Sequence, residues 1–359
     1  MRVLVVCPVH DPRDARIAER EITALLDAGH EVTQAAPFSA YRAMARPDVR
    51  TIDIPRSSGR RRLSAVRETR RVLRREAPHH DVVLLHSPDA AVAAAGIHHP
   101  TVVWDVHEDT AAALTMRPWL PRPLAAPVGG GVRWAEGRAE RFWHLLLAEH
   151  AYDSRFARRH PVVPNTPLVP ASVAPSERGR AVYVGRLTRA RGARELVQLG
   201  RALAGHGVVL EVVGNADPEV SDALARAHAE GWIDWRGFLP NAEALARIEG
   251  ATAGVSLLHD EPNYRHSMPT KLLEYLSRGV PFVSTPLPLA VDLADRSGAG
   301  VIVPFADTEG ACAALLSLDA DDRRRQAMAD AGRAWVSAHA NWAVDGPAFV
   351  ELLEEWARA

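Results

Sequence analysis

The order of strand-like and helix-like segments constrains this 359-residue chain more than any other feature of its sequence. Residues 3–7 (VLVVC) form a continuous apolar run, which is typical of a central strand in a parallel sheet. A helical pattern begins at about Asp14 and stops at Gly29, and residues 31–37 have the character of a second strand. Because strand, helix and strand follow one another within 37 residues, we expect a βαβ unit and hence an open parallel sheet.

The same alternation runs through the rest of the chain in two blocks. A stretch rich in proline and serine, residues 162–176, separates them. We therefore predict an α/β fold with two doubly wound, Rossmann-like parallel sheets that face each other across a cleft. The predicted boundaries are a first domain over 1–165, a linker over 166–179 and a second domain over 180–340, with a C-terminal helix at about 345–359 packing back on the first domain.

Composition excludes several classes of protein. The formal net charge is -1, whereas proteins dominated by nucleic-acid binding usually carry a basic excess. Cys7 and Cys312 lie far apart in apolar runs, which excludes a disulfide scaffold and a cysteine-rich metal site. No apolar run approaches the roughly 18 residues that a membrane span requires. The first residues lack a small-residue cleavage site, so we expect a first strand and a cytoplasmic protein, with the inner face of the membrane as a further location.

Lysine occurs once in this chain, at Lys271, and the other 43 − 1 = 42 basic residues are arginines. Lys271 lies in the segment 269–281 (PTKLLEYLSRGVP), where Pro269 marks the start of a helix. The N–H groups of Thr270 and Lys271 then stand at the positive end of the helix dipole, which predicts an anion site suited to phosphate. Glu274, one turn further on, can accept hydrogen bonds from two vicinal hydroxyls such as those of ribose. An ordinary amphipathic helix with a proline cap is the alternative.

A second segment, residues 184–192 (VGRLTRARG), follows a strand and opens a helix. Gly185 permits a tight turn, and Arg186 and Arg191 can reach the same point from the two ends of the loop. Two cations above a helix N-terminus suit a diphosphate. Since arginine is abundant in this chain, a pair of ordinary surface arginines is the alternative.

Together these two segments resemble the retaining GT-B glycosyltransferases of the large family 4 group, and the two-domain layout extends the resemblance over nearly the whole chain. In that family a strand–Gly-Arg-Leu–loop–helix segment binds the donor diphosphate. The resemblance implies that Arg186, Arg191 and Lys271 act on the diphosphate and that Glu274 binds the ribose. The other donor-binding residues that it implies are Gly185, Gly214, Arg236, Gly237, Phe238, His266, Met268, Pro269 and Thr270. For the glycines that end strands, an ordinary strand–loop turn is an equally good explanation.

The chain departs from the family pattern at one position. The family usually carries a glutamate eight residues before the position of Glu274, and this chain has His266 there. That glutamate usually contacts the donor hexose, so the identity of the donor sugar stays open. Residues 267–275 (SMPTKLLEY) have the S-x-P-x-K-x-x-E-Y pattern of a branch of the family in which the first acid is often absent.

One histidine and several acids end a strand of the first domain, in residues 104–109 (WDVHED). The resemblance implies that His107 approaches the donor sugar near its reacting carbon, with Glu108 and Asp109 on the acceptor side. A helix cap by Asp105 or Asp109 is one alternative. A metal site is another, but one histidine beside two sequential acids has no recognised ligand spacing, so we predict no metal ligand.

Two further segments of the first domain are candidates for contacts with an acceptor. The first loop, residues 9–16 (VHDPRDAR), has no glycine, so we do not expect it to bind phosphate, and His10, Asp14 and Arg16 are assigned to the acceptor side. A helix start capped by Asp14 is the alternative. Residues 56–75 contain nine arginines, which predicts either peripheral contact with an anionic membrane or a solvated helix face.

The sequence therefore predicts a metal-independent glycosyltransferase that needs no cofactor. It would move a hexose-type sugar, with retention, from a UDP-, GDP- or dTDP-linked donor to a hydroxyl acceptor. Glycan, lipid-linked and small-molecule acceptors all stay open, and no nucleic-acid partner is expected. The alternatives are a sugar-nucleotide epimerase on the same fold, and a non-catalytic homologue that binds a sugar nucleotide or stabilises a partner enzyme.

Overall fold

The computed structural model describes residues 1–107, 110 and 122–359. Glu108 and Asp109, which the sequence assigns to the acceptor side, lie outside the described residues. The chain divides into two units, one formed by Met1–Asn165 with Ala343–Ala359 and the other by Thr166–Trp342. Each unit is built on its own six-stranded sheet.

The sheet of the first unit is parallel throughout. Its strands are β1 Arg2–Val6, β2 Glu31–Ala36, β3 Arg50–Asp53, β4 Val82–His86, β5 Val102–Val106 and β6 His144–Leu147. The strand order is β3-β2-β1-β4-β5-β6, so the chain first builds outward from β1 on one side and then returns to build outward on the other. Strands β4 and β5 are buried along their whole length, which explains why their sequences are almost entirely apolar.

The sheet of the second unit has the same design. Its strands are β7 Arg180–Val184, β8 Val209–Val213, β9 Ile233–Gly237, β10 Ala253–Ser256, β11 Phe282–Ser284 and β12 Gly300–Ile302. All pairs are parallel and the order is β12-β11-β10-β7-β8-β9. The prediction of two doubly wound parallel sheets is therefore confirmed.

Helices connect the strands in both units. The α-helices among the described residues are α1 Thr23–Asp27, α2 Phe38–Tyr41, α3 Arg62–Glu76, α4 Pro88–Ala94, α5 Arg122–Ala139, α6 Ala193–Leu203, α7 Pro218–Ala229, α8 Asn241–Ala246, α9 Thr270–Ser277, α10 Pro288–Ser297, α11 Thr308–Ala320, α12 Asp322–His339 and α13 Trp342–Arg358. Short 3-10 turns occupy Gly59–Arg61, Ala77–His79, His150–Arg155 and Arg189–Arg191. Within the described ranges, none of the helices combines the length and the apolar character needed to cross a lipid bilayer.

The helix that follows β1 differs from the regular helix expected between Asp14 and Gly29. Its first part, Ala15–Ile22, is a π-helix, and only Thr23–Asp27 is α-helical. Asp14 caps the π-helix by accepting hydrogen bonds from the N–H groups of Arg16 at 3.0 Å and Ile17 at 3.3 Å. The π-helix carries polar side chains into the interior of the unit, and π-helical segments often occur at functional sites.

The C-terminal helical region also differs from its expected form. The sequence predicts a break from about residue 341 to Pro347, but α12 ends at His339 and α13 already begins at Trp342. Pro347 lies inside α13, near its start. A proline so close to the start of a helix removes a single backbone hydrogen bond, which the remaining turns of this 17-residue helix can tolerate.

Candidate functional site

The residues assigned to the donor diphosphate are placed at the carboxyl ends of β7 and β10. The chain leaves β7 toward β8 on one side and later returns to pair β10 with β7 on the other side. In doubly wound sheets, ligands bind at such a switch point. The loop after β7 contains Gly185, and α9 is the helix that follows β10 along the chain.

Lys271 lies in the first turn of α9 and is only 7% exposed. Its Nζ is 3.9 Å from the centre of the Tyr183 ring. No described residue accepts a hydrogen bond from this ammonium group. Burial holds the pKa of Lys271 well below its usual value, and the charge of Arg191 lowers it further. A buried cation without an acceptor is costly, and an anionic ligand at this point would remove the cost.

Two glycines bring the backbone close to this ammonium. Gly185 has φ 136° and Gly214 has φ 144°, values that only glycine adopts easily. A Cβ on Gly214 would lie 1.9 Å from the carbonyl oxygen of Gly185, so the loops after β7 and β8 touch without room for a side chain. A Cβ on Gly185 would lie 3.5 Å from Nζ of Lys271. The glycines therefore shape an uncrowded backbone turn directly beside the single lysine.

The two arginines of the loop after β7 have different environments. The exposed side chain of Arg186 donates two hydrogen bonds to Oδ1 of Asp217, at 2.9 Å from Nε and 2.7 Å from Nη2. Arg191 ends a 3-10 turn in which its N–H donates to Oγ1 of Thr188 at 3.2 Å. The charge of Arg191 acts to lower the pKa of Lys271, whereas Arg186 is held by the carboxylate of Asp217.

The other residues that the sequence assigns to donor binding differ in their position and their burial. Pro269 stands one residue before the first residue of α9, and Thr270 begins the helix. The N–H of Gly214 donates to the carbonyl oxygen of Gly237 at 2.7 Å, which links the ends of β8 and β9. Glu274 and Met268 are partly buried, whereas Arg236, Phe238 and His266 are exposed, and Arg236 pairs with Asp234.

The first unit carries a buried cluster of ionisable side chains at the equivalent switch point, between β1 and β4. His86 ends β4, Asp105 lies in β5 and His107 follows β5. Arg16 and Glu21 enter from the π-helix after β1. All of these side chains are buried except that of His107, which is 17% exposed.

Arg16 and Asp105 form the central ion pair of this cluster. Nε and Nη2 of Arg16 each donate to one oxygen of Asp105 at 2.9 Å, and Nη1 donates to the carbonyl oxygen of Val163 at 3.0 Å. Burial acts to raise the pKa of Asp105, but the charge of Arg16, with a contribution from His107, holds this pKa well below its usual value. Asp105 is therefore a buried carboxylate, and the interpretation of this residue as a helix cap is wrong.

The histidines and Glu21 surround this ion pair. Nε2 of His107 hydrogen-bonds to Oδ2 of Asp105, and Nδ1 of His86 lies 3.1 Å from the same nitrogen. Burial lowers the pKa of His86 to about 4, so this imidazole is neutral near pH 7. Burial and the neighbouring Asp105 raise the pKa of Glu21 well above its usual value, and Arg16, whose Nε is 2.9 Å from Oε1, only partly opposes them.

Sequence reasoning missed Glu21 and His86, although both carry a recognisable signal. Glu21 falls at an apolar-face position of the first helical pattern, and His86 ends an otherwise apolar strand. Of the residues assigned to the acceptor side, His10 is largely buried, with its ring centre 5.4 Å from that of His107. Burial lowers the pKa of His10.

The arginine-rich stretch 56–75 is folded mainly as α3. Leu73 is fully buried, whereas Leu63 is 72% exposed, so the apolar side chains of this stretch pack inward only in part. Arg62 donates two hydrogen bonds to the carboxylate of Asp89. Exposed arginines at other positions of the stretch are Arg56, Arg60, Arg61, Arg67, Arg71, Arg74 and Arg75.

Comparisons with known proteins are consistent with this architecture. Residues 178–321, which make up most of the second unit, match the family model described as "Glycosyl transferases group 1". No curated protein matches this chain in sequence.

Solved structures of GT-B glycosyltransferases superimpose on nearly the whole chain. Sucrose-phosphate synthase from Thermosynechococcus elongatus aligns with a TM-score of 0.77 and 15% identity, over 99% of this chain and 98% of that one. Anabaena HepE in complex with UDP and glucose aligns with a TM-score of 0.71 and 14% identity, over 99% of both chains. WaaG, a glycosyltransferase involved in lipopolysaccharide biosynthesis, aligns with a TM-score of 0.69 and 14% identity, over 96% of this chain and 98% of that one. At these identities the likeness establishes the fold, which is GT-B.

Proposed function

We propose that this chain, which has the GT-B fold and matches the group 1 glycosyl transferases over residues 178–321, is a glycosyltransferase whose donor is a nucleoside-diphosphate sugar. The observation that carries the proposal is the buried ammonium of Lys271 at the switch point of the second sheet. It has no hydrogen-bond acceptor among the described residues and stands beside the open turn at Gly185. HepE, which shares the fold, has been seen with UDP and with UDP-glucose.

The charges of this site suit a diphosphate leaving group. Lys271 and Arg191 supply two positive charges that already interact, and the first N–H groups of α9 add the positive end of the helix dipole. Negative charge on a nucleoside diphosphate increases as its bond to the sugar breaks, so fixed cations here stabilise the transition state more than the bound donor. We therefore assign the neutralising role to these side chains and backbone groups, without a metal ion on the phosphates.

The finer assignments are part of the same proposal. Glu274 binds the ribose, and the backbone at Gly214 and Gly237 lies near the base. Transfer of a hexose-type sugar to a hydroxyl acceptor occurs with retention. The role of His107 toward the sugar, the role of His266 and a membrane contact of residues 56–75 stay predictions.

The test is a thermal-unfolding panel without added metal. UDP, GDP and dTDP are compared with the matching nucleosides, which keep the base and the sugar but lack the phosphates. A ligand at 100 times its Kd stabilises by about 2.7 kcal/mol, which corresponds to roughly 5–10 °C for a unit of this size. We expect such a shift with one nucleoside diphosphate and none with its nucleoside.

Analysis of the reaction products distinguishes the three hypotheses, which are a glycosyltransferase, an epimerase and a non-catalytic protein. A sugar nucleotide that binds is incubated with the protein and with glycan, lipid-linked or small-molecule hydroxyl acceptors, and the products are identified by mass spectrometry and NMR. A glycosylated acceptor in which the sugar has the same anomeric configuration as in the donor supports retaining transfer. An altered sugar without any acceptor would indicate an epimerase, and binding without turnover would indicate a non-catalytic protein. A protein that binds no nucleoside diphosphate would refute the donor proposal.

A further inference from the structure

The buried cluster of the first unit offers the donor atoms of a metal site. Glu21, His86, Asp105 and His107 each contribute one oxygen or nitrogen, and these four atoms lie within 4.8 Å of one another. Two imidazoles and two carboxylates form a donor set that divalent transition metals such as Zn²⁺ prefer. We propose that the cluster binds one divalent transition-metal ion, with His86, Asp105 and His107 as the ligands and Glu21 as the support of His86.

The separations between the three donor atoms fit a shared ion. Nδ1 of His86 lies 3.1 Å from Nε2 of His107 and 3.4 Å from Oδ2 of Asp105, and Nε2 of His107 contacts the same oxygen. Ligands at about 2.0–2.2 Å from a tetrahedral ion are separated from one another by roughly 3.3 Å. Three such ligands leave at least one position of the ion for water or a substrate oxygen.

Glu21 provides an independent observation. Its side chain is fully buried, and Oε1 forms an ion pair with Nε of Arg16 at 2.9 Å. Within the described part of the chain, neither of its carboxyl oxygens has a donor aligned for a hydrogen bond. Nε2 of His86, which lies 3.3 Å from Oε2 of Glu21, likewise has no hydrogen-bond partner among the described residues. When a neutral imidazole binds a metal through Nδ1, its proton is on Nε2, and a small rotation of the Glu21 carboxyl would bring its Oε2, 3.3 Å away, into line to accept that proton in a hydrogen bond. A carboxylate behind the second nitrogen is the usual support of a metal-bound histidine.

The charges of the cluster allow a cation despite Arg16. Nε and Nη2 of Arg16 bind both oxygens of Asp105, and the same Nε lies 2.9 Å from Oε1 of Glu21. The carboxylate of Asp105 and the guanidinium of Arg16 cancel each other, and a divalent ion that displaced the proton of Glu21 on binding would leave these three side chains at a net charge of −1. Ligating carboxylates commonly have such hydrogen-bond partners behind them.

The experiment uses the full-length protein after removal of metals with a chelator. Co²⁺ is titrated in and its visible absorption is followed, and Zn²⁺ is then added at equal concentration to displace it. Elemental analysis after desalting gives the zinc content. We expect one ion per chain.

Variants locate the ion. His107→Ala removes a ligand that is partly exposed, and we expect an affinity at least 100-fold weaker. Glu21→Gln keeps the shape of the side chain and should weaken binding about 10–100-fold, the usual effect of losing a supporting carboxylate. The matched control is His98→Ala, which removes an exposed histidine from the same unit and should leave the affinity unchanged.

Thermal unfolding in chelator shows whether each variant is folded, and His107→Gln replaces His107→Ala if the alanine variant is not. A folded wild-type protein that retains no zinc and gives no cobalt band would refute the site. Equal binding by the folded His107 variant and the wild type would refute it as well. Since ion and nucleotide are titrated separately, failure here is distinguishable from failure of the donor proposal, on which this inference does not rest.

Discussion

Replacement of Lys271 by methionine should stabilise the protein without ligand and weaken its binding of nucleoside diphosphates. Methionine keeps the unbranched apolar stem, so it fills the space beneath the Tyr183 ring, but it removes the ammonium. That ammonium is buried and has no acceptor among the described residues. Replacing buried ionic groups by apolar ones of similar volume often stabilises a protein, by about 1–4 kcal/mol.

The pH dependence of stability should show the direction of the effect of Lys271. Burial makes the pKa of Lys271 lower in the folded state than in the unfolded chain, where it is about 10.4. Between these two pKa values the unfolded chain binds more protons, so the stability of the wild type rises with pH over that window. Below the window the full cost of the buried charge is present. Lys271→Met should remove this rise, and its advantage over the wild type should be largest below the window and shrink as the pH rises through it.

The effect on ligand binding has the opposite sign. A hydrogen bond between the ammonium and a phosphate contributes about 1.5–3 kcal/mol, because one or both partners are charged. Since 1.36 kcal/mol corresponds to a factor of ten, the Kd for a nucleoside diphosphate should rise about 10- to 150-fold. The affinity for the corresponding nucleoside, which lacks phosphates, should not change.

The assay is urea unfolding at several pH values together with calorimetric titration of the nucleotide that binds the wild type. Arg189→Met is the matched control, because it removes one positive charge from an exposed position of the same loop. It should leave stability nearly unchanged and weaken binding only slightly. A variant that is less stable than the wild type and binds nucleoside diphosphate with the same Kd would show that Lys271 has a structural role and would refute the reasoning.

Three further substitutions test the packing and the charges inferred for the two sites, each by urea unfolding followed through tryptophan fluorescence. Gly214→Ala should destabilise the protein by more than about 2 kcal/mol, because its Cβ would collide with the carbonyl oxygen of Gly185 at an unfavourable φ. Asp105→Asn should destabilise it by about 3–5 kcal/mol, since it leaves the buried charge of Arg16 without its carboxylate. In chelator, Glu21→Gln should gain stability relative to the wild type as the pH rises above about 4.3. The folded state raises the pKa of this acid and so binds its proton more tightly, and the wild type loses stability as the pH rises toward the folded pKa.

Each of these substitutions has a control substitution at a site without the clash or the buried charge to which the effect is attributed. Gly207→Ala also replaces a glycine of positive φ, 77°, but its Cβ would meet no atom within 4 Å, so it should cost about 1 kcal/mol. Asp48→Asn breaks the exposed pair with Arg46 and should cost less than about 1 kcal/mol. Glu68→Gln alters an exposed acid and should leave the pH dependence of stability unchanged. Equal effects of a substitution and its control would contradict the mechanism given for it.

The fold was predictable because its signals are local. Strands such as VLVV and VVLLH are continuous apolar runs, and each is separated from the next by a helical pattern. When apolar strands alternate with amphipathic helices and the connections are short, only a few strand orders of a parallel sheet are possible. The helices differ from their predicted form in two places, the π-helix after β1 and the position of Pro347 inside α13, and sequence patterns resolve neither. The apolar pattern of eight residues does not specify whether their backbone hydrogen bonds span four or five residues, and a proline near a helix start resembles one that ends a helix.

The part of the donor site that could be predicted is contiguous in sequence. Pro269, Thr270, Lys271 and Glu274 lie within six residues, and the loop at Gly185 has a recognisable strand–turn–helix context. The sequence could not show that Asp217 holds Arg186, or that the ammonium of Lys271 has no acceptor. Such contacts join residues that are tens of positions apart, and nothing in the spacing of either segment encodes them.

The sequence by itself determined the two doubly wound sheets, and it predicted an anion site in the segment around Lys271. Only the tertiary structure decided that Arg16, Glu21, His86, Asp105 and His107 form one cluster, and that burial sets their protonation. The physical reason is the parallel sheet itself. It aligns the carboxyl ends of strands that are far apart in the chain, so side chains of this cluster separated by up to 89 positions come within hydrogen-bond distance and lose their contact with water together.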